Sequence, residues 1–174
     1  DEQIYLTAPT DRSPSSGPAL TFTSLIPDLH HYNGRGGRVF PLWLDKSGEG
    51  SNVGDEILGE FMARYARSVT GEDVLAYIAA VAAHSAYTTR FAKDLLQPGL
   101  RIPLTANGDL FSEAVQVGKT VIWLHTFGER FIDPKEGRPS GPPRLAAHLA
   151  PRIPTEGAIP LDPAEMPDSL GYDQ

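Results

Sequence analysis

Apolar positions along this chain change their period twice. In "LTFTSLI" (20–26), Leu20, Phe22, Ser24 and Ile26 alternate with Thr21 and Thr23, the period-2 pattern of a half-buried strand. "RVFPLWL" (38–44) is a second apolar run of strand length, and Pro41, which donates no ladder hydrogen bond, places it at a sheet edge or a bulge. The two runs predict a hairpin-like pair with a long, glycine-rich tip. From residue 54 the period becomes helical: Ile57, Leu58, Phe61, Met62 and Tyr65 recur at spacings of three and four. Thr70 with Asp73 three residues later predicts a capping variant, followed by a helix with Val74, Leu75, Ile78, Val81 and Ala82 on one stripe. Tyr87, Phe91 and Leu95 continue that spacing as far as Pro98 and Gly99. "RIPL" (101–104) reads as extended and "ANGD" (106–109) as a turn whose Asp109 can cap a last helix over 110–127, with Phe111, Ala114, Val115, Gly118, Ile122 and His125 on its apolar stripe.

The flanks lack periodicity. Residues 7–19, "TAPTDRSPSSGPA", predict a linker or surface loop, and from Gly128 the chain is rich in proline. The resulting expectation is an α+β fold: a small mixed or antiparallel sheet packed against a cluster of about four helices. It divides into a domain over 1–127, preceded by a Pro/Ser/Gly loop, and a Pro-rich segment over 128–174 that wraps the surface or leads to another module. The opening "DEQIYL" reads as the middle of a longer polypeptide.

Composition narrows the function. With 40% hydrophobic and 21% charged residues, the 174-residue chain is that of an ordinary globular protein long enough to bury a core. The absence of cysteine excludes disulfides and thiolate metal sites, and no apolar run approaches the roughly 20 residues of a membrane span. A cytoplasmic location is expected. The net charge of −7 repels nucleic acid at long range, so any DNA-binding role must rest on a local basic patch.

Catalytic motifs are hard to find. "GKT" (118–120) has Glu113 where a phosphate loop needs glycine, and it lies inside a helix. "GEGSNVG" (48–54) lacks the βαβ setting of a dinucleotide fingerprint. His30 and His31 point to opposite sides of an extended chain and make poor joint metal ligands, and His125 on an apolar helical face reads as a hydrogen-bonded core residue. No catalytic centre and no metal site is expected. What remains is "YNGRGGR" (32–38): glycines allow close backbone approach, Arg35 and Arg38 carry planar forks suited to phosphate or guanine, Asn33 suits adenine, and Tyr32 can stack on a base. The same residues are also ordinary turn chemistry.

Three blocks in order carry a resemblance. "GPALTFTSLIPDLHHYNGRGGRVFPLWL", "TGEDVLAYIAAVAAHSAYTTRFAKDLLQPGLRIPL" and "LFSEAVQVGKTVIWLH" resemble the C-terminal specificity region of type ISP restriction-modification enzymes and related bacterial adenine-specific DNA methyltransferases. Tyr77, Ala80, Val81, His84, Ser85, Tyr87, Arg90 and Phe91 match the family's helical segment. Arg101, Ile102, Pro103 and Leu104 match its extended one, with Leu100 where the family has proline, and Leu124 with His125 match the last. The resemblance implies a target recognition domain that binds double-stranded DNA and is covalently linked to an upstream methyltransferase domain, which would use S-adenosylmethionine to methylate adenine N6. This chain would hold neither cofactor nor catalytic motif. Tyr32, Asn33, Arg35 and Arg38, with Lys46, are the expected DNA contacts. The alternative is a structural or protein-interaction domain that docks on the methyltransferase without touching DNA.

Overall fold

A computed structural model describes residues 2–9, 18–28, 30, 37–45, 47–97 and 101–144. The chain forms two compact units, Asp1–Pro142 and Pro143–Gln174, and nearly all of the second lies outside the described residues. Within the first, strands β1 (Tyr5–Pro9), β2 (Thr21–Thr23) and β3 (Gly37–Pro41) precede helices α1 (Asp55–Tyr65), α2 (Gly71–Ala83), α3 (Ser85–Arg90) and α4 (Gly108–His125). Short 3-10 turns occupy Asp94–Leu96 and Pro134–Glu136. The class is α+β, as the two hydrophobic periods predict.

The sheet differs from the expected hairpin. Its order is β2-β1-β3, all antiparallel, so the two strands expected to pair with each other flank a third. Leu6 faces both Phe22 and Phe40, and Thr7, Ala8 and Pro9, expected in a loop, belong to the central strand. The period-2 signal here is short, carried by the buried Ile4, Leu6 and Ala8 and obscured by the threonine and proline around them. Pro41 does lie on an edge strand, where its missing N–H costs no ladder bond.

The helices stack on this sheet around α2 and α4. Thr70 caps α2 through a reciprocal box: its hydroxyl accepts from the Asp73 N–H at 3.2 Å, and the Asp73 carboxylate accepts from the Thr70 N–H at 3.2 Å. Ala76 and Ala79 of α2 are fully buried, and Gly118 of α4 lies so close that a Cβ there would penetrate the Ala76 carbonyl. The absence of a side chain sets the separation of the two helices.

Two helix boundaries differ from expectation. The helix expected to run on to Leu95 breaks at His84, whose backbone is extended (φ −74°, ψ 125°) and whose Nδ1 accepts from the Ala86 N–H at 3.1 Å, capping α3. A four-residue apolar spacing persists across such a break, so periodicity alone does not reveal it. At α4 the cap is Asn107 rather than Asp109: its Oδ1 accepts from the N–H groups of Asp109 (2.8 Å) and Leu110 (3.1 Å). On α1 the buried stripe is Phe61 and Tyr65, while Ile57 and Met62 remain in water. Beyond α4, the chain to Pro142 stays within the first unit, and the Trp123 indole N–H donates to the Pro139 carbonyl at 2.8 Å.

One extended segment has no strand partner among the described residues. Residues 101–105 lie outside the sheet, and side chains occupy their alternate carbonyls. Tyr87 of α3 donates to the Arg101 carbonyl (2.9 Å), Tyr77 of α2 to that of Pro103 (2.9 Å), and Tyr65 of α1 to that of Thr105 (2.7 Å). The Tyr77 hydroxyl also accepts from the Thr105 N–H at 3.1 Å. Burial pushes the Tyr65 and Tyr87 phenols above their usual range, which keeps both as donors. The rings of Tyr65 and Tyr77 stack on Phe111, with centroids 4.6 and 5.0 Å away, so the ladder is joined to the aromatic core.

His125 joins the sheet to α4. Its Nδ1 accepts from the Phe22 N–H at 3.2 Å, and its ring lies 5.7 Å from that of Phe22. Burial lowers its pKa below 6.5, so the unfolded chain binds the proton more readily than the folded one. The stabilisation is complete above pH 6.5 and declines as pH falls through the lower folded value. His125→Gln should therefore flatten the loss of urea-unfolding midpoint between about pH 7.5 and 5.5 relative to the parent protein. Gly118→Ala should cost about 1–3 kcal/mol or more through overpacking, read as a fall in melting temperature. Tyr77→Phe strips partners from both the Pro103 carbonyl and the Thr105 N–H and should cost about 1–3 kcal/mol in chemical denaturation.

Candidate nucleic-acid interface

Of the five residues expected to contact DNA, the structure describes one. Tyr32, Asn33, Arg35 and Lys46 lie outside the described residues. Arg38 stands on β3 opposite Ala8, one pair from the end of the ladder at Pro9 and Gly37. Alternation puts Arg38 on the same sheet face as Phe40, and both are exposed because β3 is an edge strand.

Across a narrow cleft from these two stand Tyr87, Phe91, Asp94, Gln97 and Arg101. The ladder bond from Tyr87 fixes the backbone of Arg101 at this wall. Arg38 and Arg101 have no side-chain hydrogen bond and no ion pair among the described residues, although both line the same cleft. The Arg90 guanidinium lies 6.0 Å from the centre of the Phe91 ring, and Lys93 is exposed two residues further along. Among the described residues, Asp94 is the one carboxylate in the lining of the cleft.

Four cations elsewhere are paired. Arg67 pairs with Asp109 at 3.1 Å, Lys119 with Asp73 at 3.0 Å, Arg130 with Glu129 at 3.9 Å and Arg138 with Asp133 at 3.7 Å. In a chain of net charge −7, such pairing and the excess of carboxylates leave most of the surface neutral or acidic. In the lining of the cleft Arg38 and Arg101 outnumber Asp94, a local excess of positive charge that the overall composition conceals.

Arg90, Lys93 and Arg101 were not among the residues expected to contact DNA. A signal was present: residues 86–101 hold three cations and one anion within an acidic chain. Arg90 and Arg101 carry the family resemblance, but nothing in their spacing tells that the fold brings Arg101 into one cleft with a strand far upstream.

On the other side of α3 lies a larger groove of about 560 Å³, walled by apolar side chains including Ala80, Val81, Leu110 and Val117, with Arg90 and Glu113 at its margins. Tyr87 and Phe91 line both this groove and the cleft, with ring centroids 5.0 Å apart. α3 thus separates a basic cleft from an apolar groove.

Other features of the sequence are structural. Gly118 packs on α2 and Lys119 pairs with Asp73, so "GKT" is part of a helix-helix contact. The His30 ring lies 3.2 Å from the Asp28 carboxylate, His31 lies outside the described residues, and no cluster of three potential metal ligands occurs among the described residues. None of the described helices is long and apolar enough to cross a membrane.

No curated protein matches the chain. Among solved structures, a chain in a cryoEM structure of a DrdV-DNA complex is similar in fold, with a TM-score of 0.59 at 24% sequence identity. The match covers 74% of the present chain and 12% of that one. The model of the type ISP C-terminal specificity domain matches residues 1–159. With a match over nearly its whole length and an α+β fold that carries the "Y…Y…RIPL" residues in one hydrogen-bonded ladder, this chain belongs to the type ISP C-terminal specificity domain family.

Proposed function

We propose that this chain is the DNA sequence-recognition module of a larger site-specific adenine methyltransferase or type ISP restriction-modification enzyme, and that it acts in the cytoplasm. The observation that carries this reading is that Arg38 and Arg101 line one cleft and form no ion pair among the described residues of an acidic chain. Family membership and the fold shared with a chain of a DNA complex support it. Base edges are read by the residues just before β3: Asn33 on adenine, Arg35 on guanine, with Tyr32 stacking and Lys46 adding a phosphate contact. A methyltransferase domain on the same polypeptide supplies S-adenosylmethionine chemistry and extrudes the target base, while this module sets where that happens.

The apolar groove beside α3 favours a second reading, in which the module docks on the methyltransferase domain and makes no DNA contact of its own. Salt separates the two, because phosphate-driven binding weakens steeply with ionic strength and apolar docking does not. In selection from a randomised duplex pool, Asn33→Ala and Arg35→Ala should each relax preference at one or two base positions, since a bidentate pair with a base edge discriminates by about 1–3 kcal/mol. Unchanged preference and affinity in both variants would remove Asn33 and Arg35 from the recognition surface.

A further inference from the structure

We infer that Arg38 and Arg101 are the two jaws of a clamp for a single DNA backbone phosphate, an assignment that rests on the DNA-recognition reading and gives this cleft a role different from that of the loop before it. The two arginines come from separate parts of the fold, one from the β3 edge and one from the extended segment after α3, and both line one cleft. Neither has a side-chain hydrogen bond or ion pair among the described residues.

The shape of the cleft favours phosphate over a base. Its free volume is about 30 Å³, too little to admit a nucleobase, and its lining includes Ala8, Phe40 and Phe91. An apolar lining lowers the local dielectric, which strengthens the hold of a guanidinium on an anion at the mouth. Asp94 in the same lining offsets one of the two arginine charges, and the remaining positive charge balances a single phosphodiester.

Rigidity comes from the tyrosine ladder. Tyr87 is 5% exposed and its hydroxyl donates to the Arg101 carbonyl at 2.9 Å. Arg38 is held by ladder pairing with Ala8. Both jaws therefore start from fixed backbone, so little ordering remains when the anion arrives. Tyr87 acts as a positioning residue, through Arg101 alone. Phosphate contacts of this kind set register on the duplex and carry no sequence information.

The test uses the whole protein, a random-sequence duplex of about 30 base pairs at a series of salt concentrations, and circular dichroism to verify the fold of each variant. Arg38→Ala and Arg101→Ala should each weaken binding about tenfold, without altering base preference in a randomised pool. Because both hold one phosphate, the double variant should lose little beyond the worse single one, and its salt slope should fall by about 0.9. Tyr87→Phe should weaken binding in the parent but not in the Arg101→Ala background; a purely structural role would weaken both. A slope change of about 1.8 with additive losses would assign two separate phosphates and overturn the clamp. A shifted base preference would make the arginines base readers, with the same consequence. Steep salt-dependent binding that neither substitution alters would remove the clamp alone, whereas no duplex binding by the parent at any salt would remove the DNA reading as well.

Discussion

Three tyrosine hydroxyls hold the extended segment 101–105 in place of a neighbouring strand. An extended backbone exposes a donor or acceptor at every residue, and burying one unpaired costs as much as a lost hydrogen bond. Tyr87, Tyr77 and Tyr65 satisfy the carbonyls of Arg101, Pro103 and Thr105 in turn, one from each of three successive helices. Proline at 103 has no N–H to satisfy, which lightens the demand in the middle of the segment. The ladder thus orients three helices against one strip of backbone. It also fixes the backbone at Arg101, through the hydroxyl of Tyr87.

The cleft follows from this arrangement. Because α3 starts afresh at His84 rather than continuing α2, its Tyr87 and Phe91 can turn toward β3 and form the wall between the cleft and the apolar groove. A straight helix through residue 84 would carry these rings along the axis of α2. The close approach of α4 to α2 at Gly118 supports the same geometry from behind, since Phe111 at the start of α4 stacks on Tyr65 and Tyr77. The packing of small residues and the tyrosine ladder are in this sense one structure, with the aromatic cluster as their common part.

Charge is distributed unevenly over this frame. Arg67 after α1, Lys119 on α4, and Arg130 and Arg138 in the chain that follows meet carboxylates, which lowers the cost of carrying them near the core and removes them from the long-range field. At the cleft the cations form no ion pair among the described residues, although carboxylates outnumber basic groups in the chain. Leaving like charges close together is unfavourable for folding, and a bound anion relieves it. Net charge of the whole chain is for this reason a poor guide to its partner.

Much of the architecture was legible in the residues themselves. The switch from period 2 to period 3.6, the Thr70 and Asp73 capping box, the apolar stripe of α4 and the edge position of Pro41 all depend on neighbours a few positions away, and local sequence determines local geometry through propensity and patterning. The central strand β1 was hidden because its alternation is only a few residues long, and the break at His84 because apolar spacing continues across it. The candidate site was legible in half. Arg38, beside glycines and Asn33, stood out by composition, while Arg101 looked only like the first residue of an extended "RIPL" segment. That the two share one cleft depends on β3 pairing with β1 and on Tyr87 reaching the Arg101 carbonyl, contacts between residues far apart in the chain, and no local pattern encodes them. The sequence by itself determined the elements and their capping, because these rest on nearest neighbours; only the tertiary structure decided which cations meet, because long-range hydrogen bonds and packing place them.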